Sequence, residues 1–93
     1  MHTYPSNWLV EEEYEGNFVF INDKKSFCIN LDYTPACEYP YSINFVQIKG
    51  DFNVIEIEDG AYLTHSKLLS DAFHKVSEMM NFINSKTQNA IFN

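Results

Sequence analysis

The chain has 93 residues, of which 45% are apolar and 16% aromatic, so it can close one hydrophobic core but is short for a second. It carries thirteen acidic residues, six lysines and no arginine, and its net charge is −7. Arginine is the usual side chain for bidentate contacts with phosphates and guanine edges, so this composition disfavours direct nucleic-acid binding. The sequence therefore predicts a single acidic domain over residues 1–93.

Membrane insertion, secretion and metal binding are not indicated by the sequence. The longest apolar runs, such as Phe18 to Ile21, are far shorter than the ~20 residues of a membrane span. The N-terminal residues Met1 to Pro5 lack the features of a secretory signal, so we expect a cytoplasmic protein. Cys28 and Cys37 are expected to be reduced thiols in that compartment. Their spacing and that of the histidines match no metal site, so we predict neither a metal nor another cofactor.

Alternating apolar and polar residues predict strands up to residue 64. The predicted strands are Trp8 to Tyr14, Asn17 to Asn22, Ser26 to Tyr33, Tyr41 to Ile48 and Phe52 to Glu58, with a short extended piece at Tyr62 and Leu63. Polar or glycine-containing turns separate them, and the turn at Lys49-Gly50-Asp51 is expected to pair its two flanking strands as an antiparallel hairpin. The pattern predicts an antiparallel meander of about five strands over residues 8–64.

The last third of the chain changes to helical periodicity. From Ser66 to about Ser85 apolar residues recur at steps of three and four, in a stripe formed by Leu69, Ala72, Phe73, Val76, Met80 and Ile83. Thr64 or Ser66 is the predicted N-cap. So narrow a stripe needs one partner, and we expect the helix to pack across one face of the sheet in an α+β fold. Residues 86–93 have no period and are expected to fray.

Catalysis is not indicated, because the chain contains no familiar nucleophile, metalloprotease or phosphate-binding motif. Cys37 and His65 could form a thiolate dyad, but nothing in the sequence brings them together. Glu56 and Glu58 would lie roughly 7 Å apart on one strand face, where alternating glutamates usually face water. We therefore expect a protein that is not an enzyme.

Two segments are candidates for contact with a partner. The run Glu11-Glu12-Glu13-Tyr14-Glu15 either protects an edge strand from aggregation or offers carboxylates to the basic side chains of another protein. The loop Thr34 to Tyr41 contains two prolines and two tyrosines, which either bind a partner or cap the rim of the core. The candidate partner-binding residues are Glu11, Glu12, Glu13, Tyr14, Glu15, Glu38, Tyr39, Tyr41, Glu56, Glu58 and Tyr62.

The short, acidic, arginine-free chain, with its Glu11 to Glu15 run and its Tyr39-Pro40-Tyr41 loop, resembles the small immunity proteins of bacterial competition. These include colicin-type and contact-dependent growth inhibition immunity proteins, which neutralise a basic toxin domain, often a nuclease. The resemblance implies a non-catalytic inhibitor of such a domain, and we expect the chain to be a monomer. One alternative is a phage-encoded inhibitor of a nucleic-acid-binding defence complex, of the anti-CRISPR type. A small ligand-binding or enzymatic domain is another.

Overall fold

A computed structural model describes residues 4–47 and 63–92, which form an antiparallel sheet with one helix packed against it. The elements are β1 (Trp8–Tyr14), β2 (Asn17–Asn22), β3 (Phe27–Tyr33), β4 (Tyr41–Gln47), β5 (Leu63–Ser66) and α1 (Leu69–Phe92). The strands follow each other in the sheet in the order β1-β2-β3-β4-β5, and each pairs antiparallel with the next. The predicted α+β class is confirmed.

The first hairpin has the predicted strand bounds because its turn is specified locally. Glu15 and Gly16 have φ angles of 48° and 85°, and Tyr14 pairs with Asn17 across them. Two consecutive residues with positive φ form the type I′ turn, whose twist matches that of the flanking strands. The meander begins with this turn.

On the side away from β3, the strand that pairs with β4 in the described part of the chain is β5. Their register joins Tyr41 with Ser66 and Asn44 with Leu63. The predicted hairpin at Lys49-Gly50-Asp51 and the predicted strand Phe52 to Glu58 lie outside the described residues. β5 corresponds to the short extended piece that the sequence placed near Leu63.

The core lies between α1 and one face of the sheet. Its buried residues are Trp8, Phe20, Phe27, Ile29, Leu31 and Ile43 from the strands and Ala72, Val76, Met79, Met80 and Ile83 from the helix. β1 is an edge strand of the sheet. The helix packs mainly against β3, β4 and β5, so it leaves most of β1 uncovered. Val10 illustrates this, because its side chain is 46% exposed although its partner in the pairing, Phe20, is buried.

The helix differs from its predicted form at both ends. It begins at Leu69 because Ser66 is still part of β5, where the Ser66 hydroxyl donates a hydrogen bond of 2.8 Å to the Asp71 carboxylate instead of capping the helix. Its last residue is Phe92, beyond the predicted end near Ser85. α1 lacks the apolar character that a membrane-spanning helix needs.

The buried stripe of the helix differs from the predicted one at three residues. Leu69 was predicted to be a core residue, but it lies in the first turn, before the first fully buried helical residue, and is 39% exposed. Phe73 is packed only at the margin of the core, with its ring edge-on to Phe18 at a centroid distance of 5.1 Å. Met79, which the stripe did not include, is buried.

Candidate functional site

The acidic run lies on β1, at the edge of the sheet. Glu11, Glu12 and Glu13 are exposed, and the pairing with β2 shifts between Val10 and Glu12. Glu11 is therefore the extra residue of a β-bulge, which increases the local twist of the strand. Glu15 follows in the exposed turn. These four glutamates are called the acid edge below.

The charges of the acid edge are not neutralised by the described part of the chain. The ion pairs seen there join Lys67 to Glu38, His74 to Glu78 and Lys75 to Asp71. No nitrogen of a described lysine or histidine lies within 4.0 Å of the four acid-edge carboxylates. A row of unpaired carboxylates attracts cationic surfaces and repels nucleic acid.

The field of the acid edge reaches the sheet face opposite α1. Cys28 lies on that face, paired with Ile21 on one side and Val46 on the other. Burial raises the pKa of the Cys28 thiol, and the negative charge of Glu11 raises it further. Cys28 and Cys37 are both free thiols.

Tyrosines gather where the first turn and the β3–β4 loop meet, at one end of the sheet. Asn17 links the two segments: its amide donates to the Tyr14 carbonyl at 3.0 Å, and its side-chain oxygen accepts from the Tyr33 N–H at 2.7 Å. Tyr33 pairs with Tyr41 across the hairpin, and their rings stack with centroids 5.0 Å apart. We call Tyr14, Tyr33, Tyr39 and Tyr41 the tyrosine end.

Exposure separates these tyrosines into two kinds. Tyr14 is 69% exposed and Tyr39 49%, so each presents much of its ring to solvent. Tyr41 is partly buried and packs against the core, which is the capping role that the sequence left open for the loop tyrosines. Tyr33, at 38% exposure, was not among the predicted binding residues. The signal that could have found it is its position as the last residue of a strand, next to the proline-containing loop.

The β3–β4 loop is held by its own backbone. The Thr34 N–H donates to the Pro40 carbonyl at 2.7 Å, and the Cys37 N–H donates to the Thr34 carbonyl at 3.1 Å. These bonds continue the hairpin beyond its last paired residues and fix the path of the chain through Glu38 and Tyr39. Side chains on such a loop lose less freedom on binding than those on an unbonded one.

Lys67, which follows β5, lies over this loop. Its Nζ atom is 5.0 Å from the centroid of the Tyr39 ring and 4.0 Å from Oε1 of Glu38. Glu38 and Tyr39 also line an open cleft of about 500 Å³ together with Cys37 and His65, and this is called the Tyr39 cleft below.

Two residues considered for catalysis, Cys37 and His65, thus line the same cleft. No hydrogen bond joins their side chains, although a thiolate nucleophile needs its base within hydrogen-bonding reach. Within residues 4–47 and 63–92, no group of three or more His, Cys, Asp and Glu side chains is placed to hold a metal ion.

The remaining predicted site residues, Glu56, Glu58 and Tyr62, lie outside the described residues. Comparison of the chain with family models, with curated proteins and with solved structures finds no match.

Proposed function

We propose that this protein is a non-catalytic inhibitor that binds a basic partner protein, as a cytoplasmic immunity protein binds the nuclease domain of its cognate toxin. The observation that carries the proposal is the acid edge, whose carboxylates have no cationic partner in the described part of the chain and which runs directly into the tyrosine end. Glu15 joins the two surfaces, because it follows Tyr14 in the first turn.

The two surfaces would contribute in different ways. Carboxylates at the edge of the sheet attract a cationic cleft over a distance and compete there with the phosphates of its substrate. Exposed tyrosines provide large, stiff contact area, which is typical of residues that dominate binding energy. Steering by the acid edge and anchoring by Tyr14 and Tyr39 together would suit a protein that must find and hold a basic toxin domain.

The test begins with capture of the partner from the native strain on immobilised wild-type protein. Two charge-reversal variants serve as parallel baits: E12K/E13K in the acid edge, and D23K/E78K as its control. Asp23 is in the β2–β3 turn and Glu78 is on the helix, and both are exposed. The two variants change the net charge equally, from −7 to −3, so a difference between them reports position and not total charge.

The expected result is a basic protein that is retained by the wild type and by D23K/E78K and lost or weakened with E12K/E13K. Its nuclease activity, measured on RNA and DNA, should fall to zero at about one equivalent of the wild-type protein. A captured partner that is acidic, or a basic partner that E12K/E13K retains fully, would refute the proposal. So would nuclease or hydrolase activity of the purified protein itself.

A further inference from the structure

The contacts of Lys67 have the composition of a cation-binding site. An ammonium group lies over an aromatic ring and beside a carboxylate, on a loop that backbone hydrogen bonds hold in place. A cation over the face of a tyrosine ring is attracted by the ring's quadrupole. The group that fills this position belongs to the same chain.

The interactions of Lys67 with Glu38 and with the Tyr39 ring are weak. The Lys67 side chain is 58% exposed and that of Glu38 is 79% exposed, so solvent screens their attraction at 4.0 Å. A flexible lysine also loses side-chain entropy when it is held in one position. Lys67 can therefore leave the Tyr39 ring at little cost in free energy.

An arginine side chain would fit this position better than lysine does. Its planar guanidinium stacks on aromatic rings and forms two parallel hydrogen bonds with a carboxylate, whereas an ammonium acts as a point charge. The Tyr39 cleft, with a volume of about 500 Å³, offers room for such a side chain next to both groups. The chain has no arginine of its own that could compete for the position.

We propose that the Tyr39 ring and the Glu38 carboxylate, at the wall of the Tyr39 cleft, form a binding site for an arginine side chain of the basic partner, and that Lys67 occupies the position over the ring until the partner displaces it. This inference rests on the proposed function for the source of the arginine. The stacking on Tyr39 and the pairing with Glu38 are properties of the chain itself, so they can be tested without the partner.

The probe is a tetra-arginine peptide, compared with tetra-lysine and with neutral tetra-citrulline. Cys37 lines the cleft and is exposed, so its rate of alkylation by iodoacetamide reports whether the cleft is occupied. The rates at Cys37 and Cys28 are measured separately by mass spectrometry of peptides. Tetra-arginine should protect Cys37 at a lower concentration than tetra-lysine, and tetra-citrulline should not protect it. A change in rate at Cys28 alone would place the peptide at the acid edge and overturn the proposal.

Two sets of variants identify the groups responsible. Tyr39→Phe should keep the protection by tetra-arginine and Tyr39→Leu should lose it, because only the former retains an aromatic face. K67Q should lower the half-protecting concentration by about two- to fivefold, since the competing cation is gone. The control is K24Q, which has the same net charge as K67Q, −8. Lys24 is in the β2–β3 turn, at the opposite end of the sheet from the β3–β4 loop that carries Tyr39. Equal effects of K67Q and K24Q, or full protection in Tyr39→Leu, would overturn the proposal.

The outcomes also separate this inference from the proposed function. If tetra-arginine protects Cys37 as expected but the captured partner is not a basic toxin domain, the arginine site stands and the proposed function fails. If a basic toxin is captured and Tyr39→Leu binds it as tightly as the wild type does, the proposed function stands and the arginine site is refuted.

Discussion

Trp8 donates its indole N–H to Oδ1 of Asn84 across 3.0 Å, which links the first strand to the helix over 76 residues of chain. The same oxygen accepts a bond of 2.9 Å from the Asn7 amide, and Asn84 returns a bond of 3.0 Å to Oδ1 of Asn7. Trp8 is buried, so its N–H has little access to water as an alternative acceptor. These bonds fix the helix to the strand that carries the acid edge.

Replacing Asn84 by alanine should therefore lower the free energy of unfolding by about 1–3 kcal/mol, because it leaves the buried Trp8 donor without an acceptor. Asn81→Ala is the matched control: Asn81 is exposed on the same helix and its amide donates only to the Ser77 carbonyl. That change should stay within about 0.5 kcal/mol. Urea unfolding measures both, and equal losses would show that the Asn84 bonds do not stabilise the fold.

Replacing Glu15 in the first turn should remove a negative charge and at the same time stabilise the fold. Glu15 has a φ of 48°, which is strained for most residues, and Asn-Gly is the preferred sequence of a type I′ turn. Glu15→Asn should raise the free energy of unfolding by about 0.5 kcal/mol or more. Glu13→Asn removes the same charge within β1 and should bring no gain, since asparagine is unfavourable in strands. A Glu15→Asn protein that melts below the wild type in thermal denaturation would contradict this account of the turn.

The acid edge should act mainly on the rate of association with the partner. Charges steer an encounter over distance and are screened within about 8 Å at physiological salt. E12K/E13K should slow association by about threefold or more at low salt and flatten its salt dependence, and D23K/E78K should do so less. Surface plasmon resonance at two salt concentrations separates the rate constants. If E12K/E13K leaves the association rate unchanged at low salt, the steering role is excluded.

Cys28 provides a probe of the charge on Glu11. Because Glu11 raises the pKa of the Cys28 thiol, Glu11→Gln should lower that pKa and increase the reactive thiolate fraction at neutral pH. Alkylation of Cys28 should then become faster and its pH profile should move toward lower pH. Glu13→Gln serves as the control, because Glu13 does not contribute to the Cys28 pKa. An unchanged profile in Glu11→Gln would mean that the carboxylate does not act on this face of the sheet.

Asp71 should make the fold sensitive to acid. Hydrogen bonds from Ser66 and then from Lys75 lower the pKa of its carboxyl group. A carboxylate whose pKa is lower when folded stabilises the fold above its unfolded pKa of about 4, and the effect is lost as the pH falls through the folded pKa. In Asp71→Asn the free energy of unfolding should therefore fall less between pH 7 and pH 3 than in the wild type. Ser66→Ala should show part of this change and Ser70→Ala none. Parallel pH profiles of wild type and Asp71→Asn would disprove the coupling.

Local sequence signals were sufficient to predict the bounds of the first two strands and the fold class. The bounds of β1 and β2 follow from period-two alternation broken by Glu15-Gly16, a turn whose geometry depends on its own two residues. The start of the helix did not follow from such a signal. Ser66 has the chemistry of an N-cap, but its backbone is held in the sheet by pairing with Tyr41, a contact between residues distant in sequence.

The candidate site was predicted only in part for the same reason. Exposure of Glu11 to Glu13 follows from a charged run in an edge strand, whereas the position of Lys67 over Tyr39 depends on β5 lying beside β4. Asn84 resembles any polar residue of an exposed helical face until its partners, Asn7 and Trp8, are placed next to it. Local periodicity carries no information about contacts between residues that are far apart in the chain, so these contacts could not be predicted from it.

Substitutions of Gly16 in the first turn are constrained by the side chain of Tyr33, which lies next to it. A Cβ atom at this position would lie 3.3 Å from Cδ2 of Tyr33, and the φ of 85° would strain any side chain. A smaller residue at position 33 would relieve the crowding but not the backbone strain, so substitutions at the two positions are epistatic and only partly compensating. A side chain in place of this glycine would therefore strain the turn that carries Glu15 and would also push the Tyr33 ring at the tyrosine end by a few tenths of an ångström.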